Sequence, residues 1–124
     1  MEMHNNVRDF RQLKVWQMSI SLMNEIYKVT SKFPIEEKYA LTSQLLRASE
    51  SISGNIAEGN SQLYVKKEIN FLNTAIGSAA ECRNWLIMAY NAGYITNTDF
   101  TYLDEQYESI IKMLFTMIKR IMNS

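Results

Sequence analysis

Side chains able to do covalent or metal chemistry are scarce. The chain holds one His and one Cys among 124 residues. His4 lies in MEMHNNVRDF, a polar stretch of which residues 1–8 read as a flexible tail ahead of a single domain over 9–124. Without an imidazole inside that domain, a Ser or Cys triad has no base. A di-iron bundle needs Glu-x-x-His pairs, and a zinc site needs His and Cys ligands, so no metal site is expected. Cys82 has no local His and reads as a small packing residue. The glycines Gly54, Gly59, Gly77 and Gly93 are scattered and make no phosphate loop. Glu50, Glu58 and Glu81 could converge for acid–base work. Glu58, however, falls at the expected end of a helix, where an anion is disfavoured, and this predicts a structural partner among Arg47, Lys66 and nearby backbone amides. The inventory points to a protein that is not an enzyme and carries no cofactor.

The elements that position these groups follow from periodicity. Composition is 47% hydrophobic with 4 Gly and 1 Pro, which suits an all-α chain. Apolar residues step by three and four in four series. They run through Leu13, Trp16, Ile20, Met23, Tyr27 and Thr30, and then Leu41, Leu45, Ala48, Ile52, Asn55 and Gly59. The third holds Ile69, Leu72, Ile76, Ala79 and Leu86, and the fourth Phe100, Leu103, Tyr107, Ile110, Leu114, Met117 and Ile121. Helices are predicted at about 9–31, 36–58, 65–92 and 98–122. Pro34 separates the first two, with Glu36 and Glu37 suited to a helix start. Gly59 and Gly93 are expected as left-handed terminators, and Thr96 or Thr98 as the cap of the last helix. Short connections predict an up-down-up-down antiparallel four-helix bundle. Second apolar rows, such as Val15, Met18, Leu22, Ile26 and Val29, or Ile111, Phe115, Ile118 and Met122, suit either a broad core face or a subunit interface.

Charge divides along this bundle although Lys plus Arg and Asp plus Glu are equal at 13 each. One end gathers Arg8, Arg11, Lys14, Lys66, Lys67, Lys119 and Arg120 against four carboxylates, Glu2, Asp9, Glu58 and Glu68. The other gathers seven carboxylates against Lys28, Lys32 and Lys38. Helix dipoles account for Lys119 and Arg120 at a helix end. They do not account for Arg8, Arg11, Lys14, Lys66 and Lys67 at helix starts, so these cations are candidates for binding the phosphates of RNA or DNA. The single Cys fits a reducing cytoplasm, and no apolar run approaches the roughly 18 residues of a membrane span.

The stretch SISGNIAEGNSQ interrupts the second helix pattern with poor helix formers. Asn55 takes a seam position there and would fix register through a satisfied amide. Gly54 would admit a neighbouring helix, and Glu58 and Gly59 would end the helix.

Four stretches carry a resemblance. LKVWQMSISLMNEIYKVTSKFP, YALTSQLLRASESISGNIAEG, FLNTAIGSAAE, and GYI before a helix containing KML resemble the 23S rRNA intervening-sequence proteins, bacterial four helix bundle proteins, from about Phe10 to Ile121. Asn55 to Gly59 is the most distinctive block. The resemblance implies a homopentameric barrel, and kinship with the accessory variability determinant of diversity-generating retroelements, a pentamer that binds nucleic acid and a reverse transcriptase. It therefore also implies a protein partner such as a reverse transcriptase or ribosomal component. The chain departs from the family where Leu46 stands for the first of two arginines, where Asn60-Ser61-Gln62 replaces an Arg-containing loop, and at Asn70, a frequent basic position.

Overall fold

The computed structural model describes residues 2–124 and holds four α-helices with no strand among the described residues. They are α1 (Lys14–Thr30), α2 (Leu41–Asn60), α3 (Val65–Asn91) and α4 (Asn97–Met122). Single 3-10 turns at Phe10–Gln12 and Ile35–Glu37 precede α1 and α2. Each helix packs on its neighbour in sequence, and α1 also packs on α4, while the backbones of the diagonal pairs stay apart and α2 reaches α4 through side chains in the core. Contacts between α2 and α3 run in opposite senses: Ser49 meets Cys82, Ser51 meets Ser78, and Gly59 meets Phe71.

Local chemistry explains most boundaries. Of the two threonines expected there, Thr96 accepts a hydrogen bond from the Asp99 amide and caps α4, while Thr98 lies inside the helix. Gly93 adopts φ +80° after α3, a conformation that side chains resist. The start of α2 differs from the expected residue 36. Glu36 and Glu37 open the 3-10 turn instead, and α2 begins at Leu41, whose amide donates to Glu37 Oε1. Glu37 Oε2 accepts from the Tyr94 hydroxyl, so this carboxylate ties the α1–α2 connection to the end of α3.

The end of α2 also differs, and the reason is steric. Gly59 is not a left-handed terminator: it lies inside α2, is buried, and only Gly93 has positive φ among the described residues. A Cβ on Gly59 would stand 3.0 Å from Phe71 Cβ and 3.3 Å from the Glu68 carbonyl oxygen. The glycine permits close approach of α2 and α3. Gly54, expected to serve that purpose, has nothing within 4 Å of an added Cβ. Substitution should therefore split the two sites. Gly59→Ala is expected to lower stability by about 1–3 kcal/mol through overpacking, less the helix-propensity gain. Gly54→Ala is expected to raise it by up to about 1 kcal/mol. Urea unfolding of both variants checks the opposite signs.

Core assignment follows the expected seam in α4, where Leu103, Tyr107, Ile110 and Leu114 are buried. In α2 the seam passes through Ile52 and Ile56 rather than Asn55. Asn55 is half-buried and donates to the Ser51 carbonyl and hydroxyl, so its amide is satisfied within its own helix. In α1 the core draws on both rows: Val15, Leu22 and Ile26 of the second and Met23 and Thr30 of the first are buried, while Ile20 and Tyr27 of the first are 36% and 49% exposed. Both rows are apolar, so the pattern alone could not say which members the neighbouring helices cover.

The middle of the core carries one polar cluster. Ser49 on α2 and Tyr107 on α4 are hydrogen-bonded at 2.8 Å, with Cys82 Sγ of α3 at 3.6 Å from the serine hydroxyl. Burial pushes the Cys82 thiol up to about 11, which marks it as packing rather than nucleophile. Burial raises the Tyr107 phenol as well. A raised acid keeps its proton in the folded state after the unfolded chain has lost it. Stability should thus hold up to about pH 9 and fall between about pH 9 and 11, by up to about 1.4 kcal/mol per pH unit for the thiol. Cys82→Ala should remove the thiol's share of that fall in pH-dependent thermal melts and leave the share of Tyr107.

Candidate nucleic-acid interface

Antiparallel packing brings the start of α3 beside the end of α2. At the opposite end Tyr90 of α3 stacks on Phe100 of α4, with ring centroids 4.9 Å apart. A cleft between Val29 and Lys32 of the α1 end and Asp99 and Leu103 places the end of α1 by the start of α4. The first turns of α1 and α3 and the last turn of α4 thus lie toward one end, where the basic candidates were expected.

The seven candidates divide into two groups. Arg8 donates to Glu68 Oε2 at 3.0 Å and to the Gln62 carbonyl at 3.2 Å. Arg11 grips Asp9 at 2.8–3.2 Å, and that side-chain contact holds the Asp9 carboxyl below its ordinary range. Both guanidinium charges are matched by a carboxylate and contribute little to an external anion. Lys14, Lys66, Lys67, Lys119 and Arg120 are exposed and form no ion pair among the described residues. Lys119 hangs over the Phe115 ring, its Nζ 5.6 Å from the centroid, which leaves its head in water.

Expected partners of Glu58 are not found. Glu58 and Arg47 are both exposed, and neither forms an ion pair among the described residues. The carboxylate that does matter structurally is Glu68, one turn into α3 and 2% exposed. It receives His4 Nε2 at 2.7 Å and Arg8 at 3.0 Å. The same N-terminal segment pairs with the α2–α3 connection through a Met3–Tyr64 bridge, a His4 amide to the Leu63 carbonyl, and a Val65 amide to the Glu2 carbonyl. Residues 2–8 therefore lie as a strap across the basic end. Nothing local in the sequence announces this, because the partners are 60 and 64 residues apart. Macrodipole logic favours an acid at the start of α3 but gives no hint of its burial.

The strap and the α2–α3 connection enclose a cleft of about 350 Å³. His4, Asn5 and Asn6 line one side, and Asn60, Ser61 and Gln62 the other. Asn60, the last residue of α2, is 6% exposed, and its Oδ1 is buried with no hydrogen-bond partner among the described residues. No group of His, Cys, Asp and Glu able to hold a metal occurs among the described residues, and no helix there is long and apolar enough to cross a membrane.

No curated protein matches the chain. Among solved structures, a protein of unknown function from the S23 ribosomal protein family of Bacteroides thetaiotaomicron VPI-5482 is similar, with a TM-score of 0.79 and 28% identity. The likeness covers 85% of this chain and 98% of that one. The pattern of the 23S rRNA-intervening sequence proteins matches residues 11–116, which include α1, α2, α3 and most of α4. With nearly the whole helical domain inside that match, the chain belongs to the 23S rRNA-intervening sequence protein family.

Proposed function

We propose that the protein is a non-enzymatic, cytoplasmic homopentamer of up-down-up-down bundles whose basic end binds the phosphates of RNA or DNA. The observation that carries this reading is the set of exposed, unmatched cations Lys14, Lys66, Lys67, Lys119 and Arg120 toward one end. Three of them, Lys14, Lys66 and Lys67, stand in first turns, where the helix dipole disfavours a cation, so helix stability does not explain them. Such contacts neutralise backbone phosphates without specifying a base. Assembly would repeat them, and repetition of weak contacts raises overall affinity. Fluorescence anisotropy of a labelled single strand at about 50 and 200 mM salt tests the reading. Affinity should fall steeply across that range. Absence of binding at the lower salt, or binding indifferent to salt, refutes it. Light scattering at five times the chain mass checks the assembly.

A second reading is a scaffold for a protein partner. It draws on apolar side chains left in water on α3 and α4: Ile87 and Met88 are 46% and 49% exposed, and Phe115 and Met122 are 57% and 66% exposed. A partner protein retained after nuclease treatment favours this reading, and one lost with the nucleic acid favours the first.

A further inference from the structure

The end of the bundle opposite the lysines holds a cleft of about 360 Å³ between the start of α2 and the end of α3. That volume lies within the range of ligand pockets, about 300–1,000 Å³. Its walls are mostly apolar: Leu41 of α2, Trp85 and Met88 of α3, and Tyr94 just beyond α3. Met88 is 49% exposed, so this wall is open to solvent. Two polar side chains, Gln44 and Glu37, also line the cleft, and only Glu37 is charged. Glu37 is half-buried and held in place. Its Oε1 accepts from the Leu41 amide at 3.3 Å and its Oε2 from the Tyr94 hydroxyl at 2.9 Å. Both donors are neutral, and no cation pairs with Glu37 among the described residues. Neighbouring cations are engaged elsewhere. Lys38 Nζ stands 5.4 Å from the centre of the Tyr39 ring, Lys28 pairs with Glu25, and Arg83 pairs with Asp104 and Glu108. The Tyr94 phenol registers the same negative excess. It is raised first by donating to Glu37, then by burial and by the charges of Glu37 and Glu36.

These features select a class of occupant. A half-buried carboxylate with lone pairs to spare attracts a cation and repels an anion. A single carboxylate does not make a metal site, and no group of metal ligands occurs among the described residues. Water can solvate the carboxylate but gains nothing from Trp85, Met88 and Leu41. Indole and phenol rings beside such a charge favour a weakly hydrated cation with an apolar body. We propose that this cleft binds an organic cation of the alkylguanidinium class, its charged head on Glu37 and its chain along Trp85 and Met88. A guanidinium fits better than an ammonium, because its N–H fork matches a carboxylate and its plane stacks on aromatic rings. The cleft lies at the other end of the bundle from Lys66 and Lys67, so neither binding activity depends on the other.

The test titrates N-butylguanidinium into the isotope-labelled full chain at about 50 mM salt, with N-butylurea as the neutral molecule of the same shape. Amide signals of Ala40, Gln44, Met88 and Ala92 should shift with a dissociation constant of about 1 mM, as suits so small a ligand. The urea should bind about tenfold more weakly. Glu37→Gln should abolish that preference. Glu36→Gln, which alters an exposed carboxylate outside the cleft, should keep it. Equal binding of the two molecules overturns the cation site. So do shifts confined to other surfaces, or no shift well above the expected constant. The wild-type comparison decides the matter even if Glu37→Gln folds poorly. N-acetylarginine amide separates two sources of the cation: tighter binding than butylguanidinium assigns the cleft to an arginine of a partner protein, and binding no tighter assigns it to a free guanidine.

Discussion

Arg8→Ala should destabilise the protein by about 2–3 kcal/mol, and Glu68→Met by less than half as much. Removing one partner of a fully buried ion pair costs about 3–5 kcal/mol, because the remaining charge has lost water and partner together. Glu68 is 2% exposed and meets that condition, but His4 remains beside it in Arg8→Ala, which trims the cost. In Glu68→Met the stranded groups are Arg8 and His4, whose side chains are 24% and 19% exposed and can turn to solvent. The methionine fills the vacated space with apolar surface. Urea unfolding measures both, and equal costs or the reverse order would show that the strap contributes no buried charge pairing.

The second large effect concerns binding. Lys66→Glu/Lys67→Glu reverses two exposed charges with no partner in the fold, so stability should move by less than about 0.5 kcal/mol. Nucleic-acid affinity should fall by an order of magnitude or more, on the order of that expected when several phosphate contacts are lost. The loss should be uniform over sequences, and the salt slope should drop by about one for each lysine in contact. Arg11→Glu is the informative control. Its guanidinium is held by Asp9 at 2.8 Å, so its replacement should matter less for binding than either lysine.

Much of the fold was legible because helical periodicity and capping are local. Thr96, Gly93 and the α4 seam each act through residues within a few positions, and all fell where their spacing put them. The failures involve residues whose role depends on a distant neighbour. Gly59 looks like a helix stop until Phe71 and the Glu68 carbonyl are placed against it. Asn55 and Ile56 compete for one seam, and the core takes the aliphatic. At the candidate site, exposed lysines were readable from charge and position. Engagement of Arg8 by Glu68 and the unpartnered amide of Asn60 were not, since each depends on a strap that the sequence shows only as a polar tail.

That strap also bears on the order in which the chain folds. The α2–α3 hairpin closes through contacts only a dozen residues apart, such as Gly59 with Phe71, whereas His4 and Glu68 must close a loop of 64 residues. Longer loops cost more entropy to close and are rewarded later. The strap is therefore expected to dock late, after the transition state. Its contacts should then act on the rate of unfolding and hardly at all on the rate of folding. The N-terminal residues would in this sense be a kinetic latch: removing them should shorten the lifetime of the folded chain without slowing its formation, which stopped-flow refolding and unfolding of a variant lacking residues 1–8 checks.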